Sequence, residues 1–282
     1  MLKKFAVFAG IVVLAVSGTC FYLYRAATRL PDNRPRAFSG VTIPAGKKVV
    51  VCIGDSLTHG RVSYNYVDEL DRRFPAEYLF VNAGINSELA YNAAQRLDAV
   101  IALKPDYVTI LIGSNDVLGS LGKQSAERYI QKWKLPQTPD RPWFRENLKQ
   151  IVTRLQKETR ANIALLSLPP VTEDNAHPGY RQAQVYTMDI REIAQAQQVA
   201  YLPLNEILTF AIEGETRKNE LVFKGSERTL LYKAIVSHYL LGKSWDGIAE
   251  ENGFLFLTDF IHLNQKGAGI AADLIDAFIR HN

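Results

Sequence analysis

A serine follows a short apolar run near the start of the polar part of the chain. The run Val49–Ile53 is typical of a buried strand, and it leads into the turn Gly54-Asp55-Ser56-Leu57-Thr58-His59-Gly60. The two glycines permit a sharp bend, so we expect Ser56 to lie exposed at the carboxyl end of the strand. A serine in this position can act as a nucleophile, although Gly-Asp-Ser is also an ordinary turn or helix cap.

A serine nucleophile needs a histidine to take its proton and a carboxylate to orient that histidine. Asp259 and His262 are three residues apart and follow the apolar run 254–257, so both side chains can face one side of a single turn. The alternative is that Asp259 caps the last helix and His262 packs against it. The other four histidines are expected in loops, in a helix or at the chain end: His59, His177, His238 and His281.

Two further strand ends carry groups that could stabilise a developing negative charge. One apolar run ends in Asn82-Ala83-Gly84, and another ends in Gly113-Ser114-Asn115-Asp116. Backbone amides at glycine-rich turns and an asparagine side chain are uncharged donors that suit an oxyanion. Because strand ends meet at one edge of a parallel sheet, we expect Ser56, Gly84 and Asn115 to be neighbours.

Four sequence blocks, in this order, resemble those of the SGNH or GDSL-type serine hydrolases. Gly54-Asp55-Ser56-Leu57 is similar to the nucleophile block, Asn82-Ala83-Gly84 to the glycine block, Gly113-Ser114-Asn115-Asp116 to the Gly-x-Asn-Asp block, and Asp259-Phe260-Ile261-His262 to the Asp-x-x-His block. The resemblance, which covers residues 48–282, implies Ser56 as nucleophile, His262 as base and Asp259 as its orienting carboxylate. It also implies an oxyanion hole formed by the amides of Ser56 and Gly84 and by the Asn115 side chain.

Apolar strands alternate with amphipathic helices along the rest of the chain. Strands are predicted near 49–53, 78–82, 106–112, 162–168 and 199–203, and helices near 65–74, 88–103, 143–160 and 180–197. Continuously apolar strands that alternate with helices predict a parallel sheet covered on both faces. The family resemblance implies a flavodoxin-like three-layer α/β/α sandwich with about five strands.

Two stretches are longer than a simple strand-helix repeat needs. They are residues 117–142, directly after the asparagine block, and residues 205–253, directly before the Asp-His block. Long insertions at this edge form lids or binding walls, or they pack as an ordinary subdomain. We hypothesise that Arg228 to Gly242 borders the pocket for the acyl or leaving group.

The N-terminal residues are expected to lie in a membrane. Residues 5–24 carry no charge and follow two lysines, and a run of about twenty apolar residues can span a bilayer. The apolar run continues past the small-residue site Ala15-Val16-Ser17, which favours an uncleaved anchor over a signal peptide. We therefore divide the chain into an anchor and linker, residues 1–36, and a hydrolase domain, residues 37–282.

The orientation of the anchor is open from sequence alone. The first 36 residues hold six basic side chains, of which four follow the apolar run, and counting charges would keep the domain in the cytoplasm. A short basic head before the first apolar segment is, however, how exported bacterial proteins begin. We expect a periplasmic or extracellular domain and leave the cytoplasmic orientation as the alternative.

The charge and the cysteine content argue against nucleic-acid-binding and metal-dependent classes of function. The chain has a formal net charge of +4; the first 36 residues carry six basic and one acidic side chain, which leaves the domain at −1, nearly neutral. A nearly neutral domain gives no basic face for nucleic acid. The sequence has no Cys/His cluster with metal-ligand spacing and no phosphate loop, so we expect no metal and no cofactor. Cys20 and Cys52 lie in the predicted membrane span and in a core strand and are not expected to pair.

Together these observations predict a membrane-anchored serine esterase that works through a covalent acyl-enzyme. The family resemblance admits short-chain esters, lysophospholipids and acetylated envelope glycans as substrates. The alternatives are an acyltransferase with the same triad, and a catalytically silent binding module that keeps the fold. The sequence leaves the oligomeric state open.

Overall fold

A central sheet of five parallel strands organises the protein. The computed structural model describes residues 2–41, 43, 46–214 and 227–281, so part of the second predicted insertion, 215–226, lies outside the described residues. The strand order is β2-β1-β3-β4-β5, the order of flavodoxin-like folds, which confirms the predicted fold class. The strands are β1 (Lys48–Gly54), β2 (Tyr78–Gly84), β3 (Tyr107–Leu111), β4 (Asn162–Leu166) and β5 (Ala200–Leu202).

Helices flank the sheet and complete a three-layer sandwich. Near the start of the described chain, a short 3₁₀ helix spans Pro35–Phe38. The helices are α1 (Leu2–Thr28), α2 (Ser56–His59), α3 (Tyr66–Arg73), α4 (Ala90–Ala94), α5 (Asp98–Ile101), α6 (Ser114–Ser120), α7 (Lys123–Trp133), α8 (Arg141–Glu158), α9 (Pro178–Ala196), α10 (Leu204–Gly214), α11 (Glu227–Tyr239), α12 (Trp245–Glu251) and α13 (Gln265–His281). Helices α3 and α13 pack against each other, while α8 contacts both α4 and α9.

The register of the three central strands places the motifs at one edge. Gly54 at the end of β1 is paired with Gly84 of β2 on one side and with Leu111 of β3 on the other. β1 is buried from Val49 onward, because apolar helices cover both of its faces. The chain therefore leaves the sheet at the same level in all three strands, and the loops that follow lie side by side.

The helix expected at 88–103 is wrong in its continuity. The structure has two short helices, α4 and α5, separated by Gln95–Leu97. At this break the guanidinium of Arg96 donates to the carbonyl of Ala83 at 2.7 Å and to that of Gly54 at 3.3 Å, and it forms an ion pair with Glu88. The broken helix thus supplies donors to carbonyl groups at two strand ends.

The C-terminal end of α1 is attached to the domain by hydrogen bonds. Asn86 donates to the carbonyl of Ala27 at 2.8 Å, and a ring nitrogen of His59 lies 3.0 Å from the carbonyl of Arg29. Within the described residues, the segment Gly10–Thr28 of α1 is long and apolar enough to cross a membrane. This segment overlaps the predicted span at 5–24. The division of the chain at residue 36 stays a prediction.

Candidate active site

Three predicted side chains form a hydrogen-bonded chain at the carboxyl edge of the sheet. Ser56 Oγ lies 2.9 Å from His262 Nε2, and His262 Nδ1 lies 2.7 Å from Asp259 Oδ2. Because a carboxylate only accepts, the ring proton belongs on Nδ1, and Nε2 then accepts from the serine hydroxyl. All three side chains are buried. The structure therefore brings Ser56, His262 and Asp259 together in the order that an activated serine requires.

The turn at Ser56 is fixed by tight backbone packing. A Cβ atom added at Gly54 would lie 2.5 Å from the carbonyl oxygen of Leu111, so only glycine fits between the two strands. Asp55 is the N-cap of α2, and its Oδ1 accepts from the amide of Leu57 at 3.0 Å. Ser56 is consequently the first residue of α2, with its side chain aimed at the histidine.

The segment that carries the acid and the histidine is a hydrogen-bonded turn. Asp259 Oδ1 accepts from the backbone amides of Ile261 and His262, each at 2.9 Å, while its Oδ2 accepts from the ring. Leu257 and Leu263 form an antiparallel bridge around this turn. The alternative in which Asp259 caps the last helix is wrong, because the Asn264 side chain accepts from Gly267 at the start of α13.

Glu173 is a positioning residue that sequence reasoning missed. It lies in the loop after β4, and its carboxylate is buried. Its Oε1 accepts from the amides of Leu255, Phe256 and Leu257 at 2.7 to 3.0 Å. These bonds hold the run that leads to Asp259. More than 80 residues separate the partners, so no local pattern in the sequence could reveal the contact.

Asn115 lies at the start of α6, in the first turn after β3. Its Nδ2 donates to the Glu88 carbonyl at 3.0 Å and makes a longer contact of 3.3 Å to Asp55 Oδ2. Its Oδ1 accepts from the hydroxyl of Tyr129 on α7 at 2.8 Å. Gly113 directly precedes α6, and its φ of +132° is a backbone conformation that favours glycine. The predicted neighbourhood of Asn115 and Ser56 is confirmed, and Tyr129 is added to it.

The structure corrects the expectation for Gly84. Its amide already donates to the Asn82 side chain at 3.0 Å, because β2 continues in the sheet through Gly84. The chain reaches the cavity at Asn86 and Ser87, and the φ of Ser87, +66°, is unusual for a residue other than glycine. Among the described residues the Ser87 amide donates to no protein acceptor. A positive φ at a serine has no signature in the sequence, which is why the motif pointed to the glycine instead.

The three other histidines with partners are structural. His59 lies between the Asn86 side chain and the carbonyl of Arg29, and His177 caps α9 by accepting from Gly179. The ring of His238 stacks on Trp245, with 4.0 Å between centroids. None of these three rings contacts Ser56, whereas Nε2 of His262 does.

With this geometry established, the family can be identified. The sequence profile of the GDSL-like lipase/acylhydrolase family matches residues 52–270, which contain all four blocks. The chain belongs to this family. No curated protein sequence gives a match. Membership supports an acylhydrolase or esterase activity for the chain.

Solved structures of similar fold include several hydrolases. The acetylxylan esterase Axe2 of Geobacillus stearothermophilus is 18% identical, with a TM-score of 0.58 over 84% of this chain and 96% of that one. A lipase/acylhydrolase of Enterococcus faecalis is 19% identical, with a TM-score of 0.53 over 83% and 96%. LAE5, an α/β hydrolase from the Lake Arreo metagenome, is 20% identical, with a TM-score of 0.54 over 83% and 95%. At these identities the likeness shows the shared fold.

Ser56 lies at the edge of a cavity of about 680 Å³. Ser87, Asn115 and His262 line it together with Ser56, and the outer walls come from α7, from α11 and from the end of α1. Its volume is within the range of sites for small organic ligands. Within the segment from Arg228 to Gly242, the side chains of Arg228, Leu231, Tyr232 and Ile235 line this cavity, while the hypothesis that the cavity holds the acyl or leaving group stays a prediction.

Buried acids lie directly behind the serine and Asn115. Burial raises the pKa of Asp55 to about 7 and that of Asp116 to about 8, and Asp116 accepts from the amide of Ala90 at 3.1 Å. Desolvation likewise raises the pKa of Glu88, against the effect of Arg96. These carboxyls order the loops around the site.

The two raised pKa values predict how stability depends on pH. The folded protein keeps protons that the unfolded chain releases above about pH 4, so the free energy of unfolding falls as pH rises from about 4 to about 8. Asp116→Asn removes one of these groups. We expect this variant to lose less stability over that interval than wild type, measured by urea unfolding at each pH.

The exposed Asp71→Asn variant is the matched control, because it makes the same chemical change on the surface of α3. It should follow the wild-type slope. An Asp116→Asn profile that runs parallel to wild type from pH 4 to 8 would contradict the assignment.

Proposed function

We propose that this protein is a serine ester hydrolase that acts on carboxylic esters through a covalent acyl-enzyme. The observation that carries the proposal is the hydrogen-bonded chain from Ser56 through His262 to Asp259 at the floor of an open cavity. Membership of an acylhydrolase family supports the same chemistry. Serine and histidine at this distance need no further movement for the first proton transfer.

In the first step Ser56 Oγ attacks the acyl carbonyl carbon while its proton passes to His262 Nε2. Asp259 holds the ring in the required tautomer and stabilises the imidazolium that forms. The imidazolium then gives its proton to the leaving alcohol as the carbon–oxygen bond of the ester breaks. This leaves an acyl group on Ser56 and a neutral His262.

In the second step a water molecule replaces the alcohol. His262 Nε2 takes a proton from the water as the water oxygen attacks the acyl carbon. His262 then returns a proton to Ser56 Oγ as the bond between Ser56 and the acyl group breaks and the acid leaves. The same triad would serve an acyltransferase if a sugar hydroxyl took the place of this water.

The tetrahedral oxyanion is placed against three donors: the amides of Ser56 and Ser87 and the Nδ2 of Asn115. The amide of Ser87 takes the role that the family resemblance implied for Gly84. Asn115 can turn one hydrogen to the oxyanion because its contact to Asp55, at 3.3 Å, is the longer of its two. Burial raises the pKa of Asp55 to about 7, and a neutral carboxyl competes weakly for that hydrogen.

The acyl preference is open among short-chain esters, lysophospholipids and acetylated glycans. Hydrolysis of p-nitrophenyl esters from acetate to palmitate, by full-length protein in detergent, separates the short-chain classes from the lipid class. In this assay Ser56→Ala should abolish turnover and labelling by a fluorophosphonate, with thermal unfolding unchanged. A Ser56→Ala variant as active as wild type would rule out the acyl-enzyme.

The role of Asn115 can be separated from that of Tyr129 by two substitutions. Asn115→Ala removes one oxyanion donor and should lower kcat by about 10²- to 10³-fold. Tyr129→Phe removes only the hydroxyl that orients Asn115, so kcat should fall by roughly five- to tenfold with KM unchanged. Equal losses in kcat and affinity for Tyr129→Phe would contradict a positioning role.

We also propose that α1 anchors the enzyme in a membrane with the catalytic domain outside the cytoplasm. The length and apolar composition of Gly10–Thr28 support a membrane anchor, and a signal sequence shares both properties. Protease added to spheroplasts, whose outer layers have been opened, should then digest residues 37–282 and leave a membrane-bound N-terminal fragment. Full protection of the domain until the spheroplasts are lysed would support the cytoplasmic orientation instead.

A further inference from the structure

The active-site cavity is lined by three cationic side chains. Arg128 and Lys132 belong to α7, and Arg228 belongs to the first turn of α11. Among the described residues, the cavity lining has one carboxylate, that of Asp259, which is already bound to His262. The described lining therefore has an excess of positive charge beside the nucleophile.

The two α7 residues face the cavity together because they are four positions apart on one helix. Tyr129, which bonds to Asn115, lies on the same helix and also lines the cavity. Arg128 is half-buried and donates to the hydroxyl of Ser125 at 3.0 Å. Lys132 Nζ lies 5.4 Å from the ring centroid of Trp133. Both cations thus belong to the helix that also carries Tyr129.

Within the described part of the chain, none of these three cations forms an ion pair with a carboxylate, whereas many other arginines do. Arginines with an acidic partner include Arg73, Arg96, Arg145, Arg154 and Arg280. Partial desolvation lowers the pKa of Lys132, and no carboxylate acts in the opposite direction. Cations grouped in a concave site without counter-charges raise the local concentration of anions.

We propose that the ester substrate carries an anionic group, bound in this cavity by Arg128, Lys132 and Arg228. The inference rests on the proposed esterase function, because it concerns the substrate of that same site. The rest of the wall is largely apolar, with Leu231 and Ile235 of α11 among its residues. An anionic group therefore has its favourable partners on α7 and at the start of α11.

Two aryl acetates of similar shape test the proposal: 4-acetoxybenzoate, which is anionic, and methyl 4-acetoxybenzoate, which is neutral. Each variant is compared with wild type on the same ester, so the intrinsic reactivity of the two esters cancels. Arg128→Gln and Lys132→Gln should each lower kcat/KM for the anionic ester by roughly fivefold, the scale of one partly exposed ionic contact. The neutral ester should change by less than about twofold.

The matched control is Lys123→Gln, which removes a charge from the exposed start of α7 and not from the cavity lining. It should leave kcat/KM for both esters unchanged.

A second measurement uses the wild-type protein alone. Raising the salt from about 0.05 M to about 0.5 M should lower wild-type kcat/KM for the anionic ester alone, because salt screens the attraction between the anionic ester and the cations of the cavity.

Equal effects of the two α7 variants on both esters, together with equal salt dependence, would overturn the proposal and leave the esterase function intact. Absence of any Ser56-dependent turnover, with no fluorophosphonate labelling, would overturn the proposed function itself and this inference with it.

Two natural sources of an anionic ester are then compared with neutral counterparts. Lysophosphatidylglycerol is paired with a monoacylglycerol, and acetylated oligogalacturonate is paired with acetylated xylo-oligosaccharide. Preference for the anionic member of either pair, reduced by Arg128→Gln, supports the proposal and identifies the source. Preference for the neutral member in both pairs would overturn it.

Discussion

The hydrogen bond between Ser56 and His262 joins residues 206 positions apart, and the rest of the domain is arranged around it. One end is set by β1, whose last glycine fits between β2 and β3 and delivers the serine at the sheet edge. The other end is set by a turn before α13, which packs against α3. A proton can pass between the two groups only if both ends are held to within a few tenths of an ångström.

Buried polar groups supply much of this precision, and they have a thermodynamic cost. Asp55, Asp116 and Glu88 are desolvated, which raises the pKa of each, while their oxygens accept from backbone amides or from Arg96. Burying an ionisable carboxyl is unfavourable unless it is neutral or well paired. The loops at the sheet edge are therefore ordered around carboxyls whose burial becomes more costly as pH rises, and the geometry of the candidate site is linked to stability through the same side chains.

The cavity walls come from parts of the chain that the core fold does not need. Helices α7 and α11 belong to the two long insertions, and the end of α1 contributes Ala27 and Thr28. The floor, by contrast, comes from strand ends and the Asp-His turn. This separation means that the wall can change its charge and shape without disturbing the triad. It explains why the proposed anion selectivity is assigned to α7 and α11.

The sequence by itself predicted the parallel α/β fold and four residues that lie together at the candidate site, Ser56, Asn115, Asp259 and His262, because these depend on local patterns. Apolar strands, turn glycines and the three-residue spacing of Asp259 and His262 are encoded by near neighbours. Tertiary structure alone decided that Ser87 and not Gly84 faces the cavity, that the helix at 88–103 is broken, and that Glu173 holds the Asp-His segment. Those features depend on backbone angles set by packing and on contacts between distant residues. Such contacts form only when the loops fold over the sheet edge, so periodicity in the sequence carries no record of them.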